Sequence, residues 1–275
     1  MTASATTFSS MTFIGGGNMA SALISGMLKR GTPAASIQVV EPLASTRQQL
    51  IDQLGVRAIP QADSQLAHSD LVIWAIKPQL FKEVATPLQD LLAHALHLSV
   101  AAGIRSDSIT QWLGTERVVR AMPNTPALVG LGQTGLYARG AVNADERQQV
   151  EALMNAVGQS IWVAREDLLD AVTAVSGSGP AYVFYVIEAM VAAGVRMGLS
   201  PEQAHQLAVG TLVGASELAR ASSEPPAVLR ERVTSKGGTT FAAISSLQAD
   251  EVAALIDKAM QAAKDRAHSL GDELG

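Results

Sequence analysis

The stretch that most constrains this chain is residues 11–20, MTFIGGGNMA, where an apolar run meets three consecutive glycines. Met19, Ala20, Leu23, Ile24, Met27 and Leu28 then recur at helical spacing. The pattern reads as strand, tight turn, helix, and Gly15, Gly17 and Ala20 fit G-x-G-x-x-A. Gly15 permits the turn, Gly17 lets a pyrophosphate approach the backbone, and Ala20 lets helix pack on strand. The start of that helix offers free N–H groups and a partial positive charge to phosphates. A second strand is expected over 36–40, ending at Glu41, about the ~20 residues downstream where an acidic side chain meets an adenosine ribose.

The rest of the first half alternates strand and helix. A helix is expected from 43 to 54. Residues 70–76, DLVIWAI, form a continuous apolar run like a parallel strand buried on both faces, and Lys77-Pro78 stops it. A helix over 79–93, strands over 96–101, 117–122, 134–138 and 160–163, and a helix over 145–157 complete the series. This alternation predicts an α/β Rossmann domain, a doubly wound and mostly parallel sheet. Ligands of such sheets sit at the carboxyl ends of the strands. Those ends are residues 15–19, Glu41, Lys77-Pro78, Ala101-Ala102 and Asn124.

Beyond about residue 165 the strand signals stop. Helical periodicity runs through 167–174, 179–198, 201–221, 225–233, 239–247 and 249–270. Ser200-Pro201-Glu202-Gln203 reads as N-cap, Pro at the first helical position and capping-box Gln. The expected division is therefore 1–165, dinucleotide-binding, and 166–275, an all-α domain. The 179–198 helix carries charge only at Glu188 and Arg196. A helix apolar on all sides must be covered on all sides, so a second copy of the chain is expected over it.

Composition excludes much of the alternative chemistry. The 275 residues contain no Cys, so disulfides, thiolate nucleophiles and cysteine metal sites are absent. Net charge is −5 with no basic run, which argues against nucleic acid and anionic membrane. The most apolar helical core, 181–195, is interrupted by Glu188 and is shorter than a bilayer span. Residues 1–10 have neither a basic nor an apolar leader segment, and the cytoplasm is expected. His68, His94, His97, His205 and His268 fall on helices or strands, in solvated or structural roles, and no metal-binding spacing occurs. Hard chemistry must then come from a bound dinucleotide. Two glycine-rich stretches, 176–180 (SGSGP) and 235–240 (SKGGTT), precede helices and are candidates to receive an anion on backbone N–H groups.

Together these residues resemble the pyrroline-5-carboxylate reductases. The likeness runs from 13–20 through Ala75-Ile76-Lys77-Pro78, Ala101-Ala102-Gly103, Met122-Pro123-Asn124-Thr125-Pro126 and 176–182. Its most specific block is C-terminal: Pro226, Leu229, Val233-Thr234-Ser235, Gly237-Gly238, Thr240, Ala243-Ile244 and Leu247. The resemblance implies reduction of the C=N bond of 1-pyrroline-5-carboxylate to L-proline by NADPH or NADH, in a homodimer or higher homo-oligomer whose helical domains intertwine. Carried over, Ile14, Gly15, Gly17, Asn18 and Met19 hold the pyrophosphate. By its place after the second strand Glu41 is expected to face the adenosine ribose, with Ser45, Thr46 and Arg47 behind it as the alternative, a cradle for a phosphate. By the resemblance, Ala75, Lys77, Pro78, Ala101 and Ala102 line the path to the nicotinamide. Ser235, Gly237, Gly238, Thr239 and Thr240 receive the substrate, with the Thr240 hydroxyl as the catalytic group on the ring nitrogen. Lys236 stands where the family usually has Pro, and Ala227 where Gly is common. Two rival readings remain: a 3-hydroxyacid dehydrogenase, which wants a Lys that the 179–198 helix lacks, and a non-catalytic dinucleotide-binding protein.

Overall fold

Eight strands form one sheet: β1 (Met11–Ile14), β2 (Ile37–Val40), β3 (Arg57–Ile59), β4 (Leu71–Trp74), β5 (Leu96–Ser99), β6 (Val118–Met122), β7 (Gly132–Ala138) and β8 (Gly158–Trp162). Their order is β3-β2-β1-β4-β5-β6-β7-β8. The computed structural model describes residues 8–275, so the reading of the leader rests mainly on residues outside the described ones. All neighbours from β3 to β6 pair in parallel, β7 runs antiparallel to β6, and β8 runs parallel to β7. The order reverses between β1 and β4, which places the ligand crevice of such a sheet over Gly15 and Ala75.

Period-2 alternation sorts the strand residues into two cores. Met11, Phe13, Val39, Leu71, Ile73 and Leu98 pack on one face with Leu23 and Met27 of helix α1 (Asn18–Lys29). Ile14, Val72, Trp74 and Val118 pack on the other with Phe81, Ile109 and Trp112. The remaining helices of this half are α2 (Ala44–Leu54), α3 (Phe81–Ala85), α4 (Ser106–Leu113), α5 (Ala144–Met154) and α6 (Leu168–Val172).

The expected helix over 79–93 is broken up. A 3₁₀ turn over Pro78–Leu80, the short α3 and a second 3₁₀ turn over Thr86–Leu88 replace it, because Pro87 has no N–H and its ring clashes with the preceding turn. Strand β3 and helix α4 carry no expectation from sequence; β3 is three residues at the sheet edge.

His97 is fully buried in β5, so its role is structural rather than solvated. Its Nδ1 accepts from Trp74 Nε1 at 3.1 Å, which leaves the proton of the neutral ring on Nε2. Burial lowers its pKa from 6.5 to about 4, with the nearby Arg117 cation acting in the same direction. The unfolded chain therefore takes up a proton before the folded one as pH falls. The stability from a neutral His97 is complete above pH 6.5 and is lost as pH falls to about 4. That loss is expected to reach about 3 kcal/mol. Urea melts at several pH values check it: His97→Asn should show a shallower acid loss than the parent, and parallel curves would contradict the assignment.

The chain divides into two compact units. One runs to Ser178 and takes in Ala263–Gly275; the other is Gly179–Ala262. The second unit is helical: α7 (Gly179–Arg196), α8 (Pro201–Ala221), α9 (Pro226–Arg232), α10 (Thr239–Ala249) and most of α11 (Val252–Leu274). The capping box at Ser200 forms as expected, with Ser200 Oγ accepting from Gln203 N–H and Gln203 Oε1 from Ser200 N–H. Only Ala204 and Ala208 of this unit are buried. Phe184 is 59 %, Tyr185 74 % and Met197 81 % exposed. The all-round apolar α7 thus packs on α8 along one side only and has no fully buried residue in the single chain.

Candidate active site

The glycine turn begins where β1 ends. Gly15 has φ +96°, and a Cβ there would stand 2.5 Å from the Ala75 carbonyl oxygen, so both backbone and neighbour demand glycine. Gly17 is different. It is the N-cap of α1 in ordinary extended conformation, and a Cβ there would meet nothing within 4 Å. No protein contact demands a glycine at 17, and the open space beside it leaves room for a ligand to approach the backbone. Gly17 and Asn18 are exposed, Met19 is half-buried, and no side chain caps the helix. The first N–H groups of α1 therefore lack intrahelical partners and face open space above β1. A dinucleotide pyrophosphate fits this cradle.

The carboxyl ends of the neighbouring strands lie where the sequence places them. Ala75 N–H donates to Ile14 O at 2.8 Å, so β4 leaves the sheet beside the turn. Lys77 is exposed and precedes the 3₁₀ turn that Pro78 opens. Ala101, buried at 6 %, and exposed Ala102 follow β5. Small side chains at 75, 101 and 102 leave room along this edge. Glu41 sits at the end of β2 as expected, but its carboxylate points inward: Oε2 accepts from Gly16 N–H at 2.9 Å and Oε1 from Leu43 N–H at 2.8 Å.

Asn124, expected only as a strand end, turns out to be a clamp. It is buried; its Oδ1 accepts from Gln133 N–H and its Nδ2 donates to Ser176 O, both at 2.9 Å. The carbonyl it holds belongs to a π-helical turn over Thr173–Gly177. There the sequence expectation needs correction. The 176–180 stretch does not open a helix with free N–H groups. Ser178 N–H donates to Thr173 O at 2.8 Å, Ser176 Oγ donates to Val172 O at 3.0 Å, and the helix runs on from Leu168 to Arg196. A Cβ at Gly177 would stand 2.7 Å from Met122 Cε, the flexible end of a side chain that can move aside. At 29 residues this run is also long and apolar enough to cross a membrane by length and composition, unlike the 181–195 core read from sequence.

In the second unit, 235–240 is a free helix start. Gly238 N–H closes a turn on Ser235 O at 3.0 Å, and Gly237 has φ +76°. Gly238, not a threonine, is the N-cap of α10, and no side chain caps it. Thr239 and Thr240 occupy the first two helical positions, whose N–H groups have no intrahelical acceptor. Three hydroxyls, Lys236 and an uncapped helix start therefore occur together, a chemistry suited to a carboxylate. No group of acidic, His or Cys side chains among the described residues is arranged to hold a metal.

Comparison with known proteins brings the two halves together. A family profile described as pyrroline-5-carboxylate reductase dimerisation matches residues 166–270, and one described as NADP oxidoreductase, coenzyme F420-dependent, matches residues 10–103. The pyrroline-5-carboxylate reductase of Pseudomonas aeruginosa is 44 % identical over 265 residues, spanning 96 % of this chain and 97 % of that protein. The solved structure of a pyrroline-5-carboxylate reductase from Coxiella burnetii superposes with TM-score 0.90 at 38 % identity, covering 95 % of this chain and 98 % of that one. The Plasmodium falciparum pyrroline carboxylate reductase, solved with NADP bound, superposes with TM-score 0.85 at 28 % identity, covering 95 % and 98 %. Across the glycine turn, the strand ends and the helical unit alike, this chain belongs to the pyrroline-5-carboxylate reductase family.

Proposed function

We propose that this protein transfers a hydride from NAD(P)H to the C=N bond of 1-pyrroline-5-carboxylate, giving L-proline, the last step of proline biosynthesis. The observation that carries this reading is identity over nearly the full length of both chains, so that the dinucleotide turn and the 235–240 loop both fall inside the likeness. The functional division is kept at 1–165 and 166–275, in line with the span of the dimerisation profile. The working species is a homodimer or a larger homo-oligomer with interlocked helical domains. We place it in the cytoplasm, in keeping with a chain that contains no cysteine.

Bound NAD(P)H supplies the hydride; the chain supplies placement. Gly15, Gly17, Asn18 and Met19 hold the pyrophosphate on backbone N–H groups, with Ile14 beneath them. Ala75, Lys77, Pro78, Ala101 and Ala102 line the groove toward the nicotinamide. Ser235, Gly237, Gly238 and Thr239 receive the substrate carboxylate at the start of α10. The Thr240 hydroxyl bonds the ring nitrogen and orients the carbon that accepts the hydride. A protonated ring nitrogen makes that carbon a far better acceptor, and its proton comes from solvent. Catalysis is then proximity and electrostatic placement.

Loss of nicotinamide absorbance when protein, dinucleotide and the imine acid are mixed tests the reaction directly. Binding of dinucleotide without turnover would favour the non-catalytic alternative. A pair of glycine variants tests the turn. Gly17→Val should melt near the parent temperature yet weaken dinucleotide binding by at least ~10-fold, about 1.4 kcal/mol. Gly15→Ala should lower the melting temperature in the free protein, because φ +96° and the Ala75 oxygen both oppose a side chain. Unchanged dinucleotide affinity in Gly17→Val would remove 15–19 as the pyrophosphate site.

A further inference from the structure

We infer that Glu41 is a positioning residue of the glycine turn, and that Arg47 rather than Glu41 decides between NADPH and NADH. The inference rests on the dinucleotide site proposed above.

By sequence, an acid at the end of β2 reads as a ribose ligand that would repel a 2′-phosphate. The structure gives both of its oxygens other work. Oε2 accepts the Gly16 N–H and Oε1 the Leu43 N–H, and the residue is only 8 % exposed. Gly16 and Glu41 are also packed together. A Cβ on Gly16 would stand 3.3 Å from Cβ and Cγ of Glu41 and 2.7 Å from Leu50 Cδ1. The carboxylate is thus a wedge beneath the turn. It ties 15–17 to the segment leading into α2, whose N-cap residue Leu43 has no side-chain cap of its own. Breaking either bond leaves an unpaired buried polar group.

Arg47 sits on the first turn of α2. Its Nη1 donates to Glu41 O at 2.8 Å and to Pro42 O at 2.7 Å, which fixes the guanidinium at the end of β2. No carboxylate pairs with it among the described residues, and it is only half-buried. Two neutral carbonyls leave its charge uncompensated, and its other N–H groups remain available. Ser45 is exposed beside it. A fixed guanidinium recognises a phosphate monoester through paired charge-assisted hydrogen bonds, while a ribose 2′-hydroxyl offers it no negative charge. With Glu41 turned inward, the group that meets the 2′ position is cationic.

The test is dinucleotide binding without substrate, followed by nicotinamide fluorescence, together with amide exchange at Gly16 in the free protein. Arg47→Gln should raise the Kd for NADPH by at least ~10-fold and leave that for NADH within ~2-fold. Glu41→Gln and Glu41→Ala should weaken both dinucleotides alike, holding the ratio of the two Kd values within about 3-fold. In Glu41→Ala the Gly16 amide should exchange at least ~10-fold faster than in the parent. If the Ala variant does not fold, Glu41→Gln still reports, since its single acceptor oxygen cannot serve both N–H groups. Three results would overturn the inference: a shift of ~10-fold or more toward NADPH in Glu41→Gln, an unchanged NADPH/NADH ratio in Arg47→Gln, or unchanged Gly16 exchange in every Glu41 variant. Normal dinucleotide binding with no imine reduction would count against the proposed reaction and leave this inference standing.

Discussion

Thr240→Ala is expected to lower kcat for imine reduction by at least ~10-fold and toward the order of 10²-fold, about 1.4–3 kcal/mol of barrier. Dinucleotide affinity should change little. The rival role for a threonine at a helix start is a cap, whose loss costs ~0.5–2 kcal/mol of stability and leaves turnover intact. The structure separates the two. Gly238 is the N-cap of α10, no side chain caps that helix, and Thr240 stands two positions inside it. The melting temperature of Thr240→Ala should therefore stay close to that of the parent. Thr240→Ser should retain most of the activity, because the hydroxyl survives. Steady-state kinetics with a melting curve beside them decide the matter. A variant that melts lower but turns over at the parent rate would assign Thr240 to folding and leave the ring nitrogen to another partner.

Phe184→Asp is expected to break the assembly and abolish activity with it. In the single chain Phe184 is 59 % exposed on a helix that has no buried residue, inside the span of the dimerisation profile. Only two alanines are buried in the Gly179–Ala262 unit, so its apolar side chains have little core of their own. A stable interface removes about 1,200–2,000 Å² from water, and the exposed side chains of α7, α8 and α10 supply such a surface. An aspartate buried there without a partner costs several kcal/mol. Light scattering over a concentration series should give at least a dimer for the parent and a smaller species for Phe184→Asp. A parent mass that stays monomeric at every concentration would sink the homodimer. A variant that keeps the parent mass would place Phe184 outside the contact.

The features legible in the sequence are those whose cause is local. Three glycines after an apolar tetrapeptide can only be a tight turn, and Gly15 takes the positive φ that such a turn demands. Continuous apolar runs marked β1 and β4, and Ser200 with Gln203 marked the start of α8. Apolar residues on every side of α7 call for a covering partner, and in the single chain α7 packs along α8 yet has no fully buried residue.

Other features depend on groups far apart in the chain, and only the tertiary structure decided them. Glu41 stands where an acid would meet a ribose, but the donor that turns it inward, Gly16 N–H, is 25 residues away. The 176–180 stretch has the composition of a loop. It winds into a π turn whose Ser176 carbonyl is held by Asn124, 52 residues upstream. Backbone propensity and periodicity act over a few residues, whereas the direction of a side chain and the partner of a carbonyl are set by whatever the fold brings alongside.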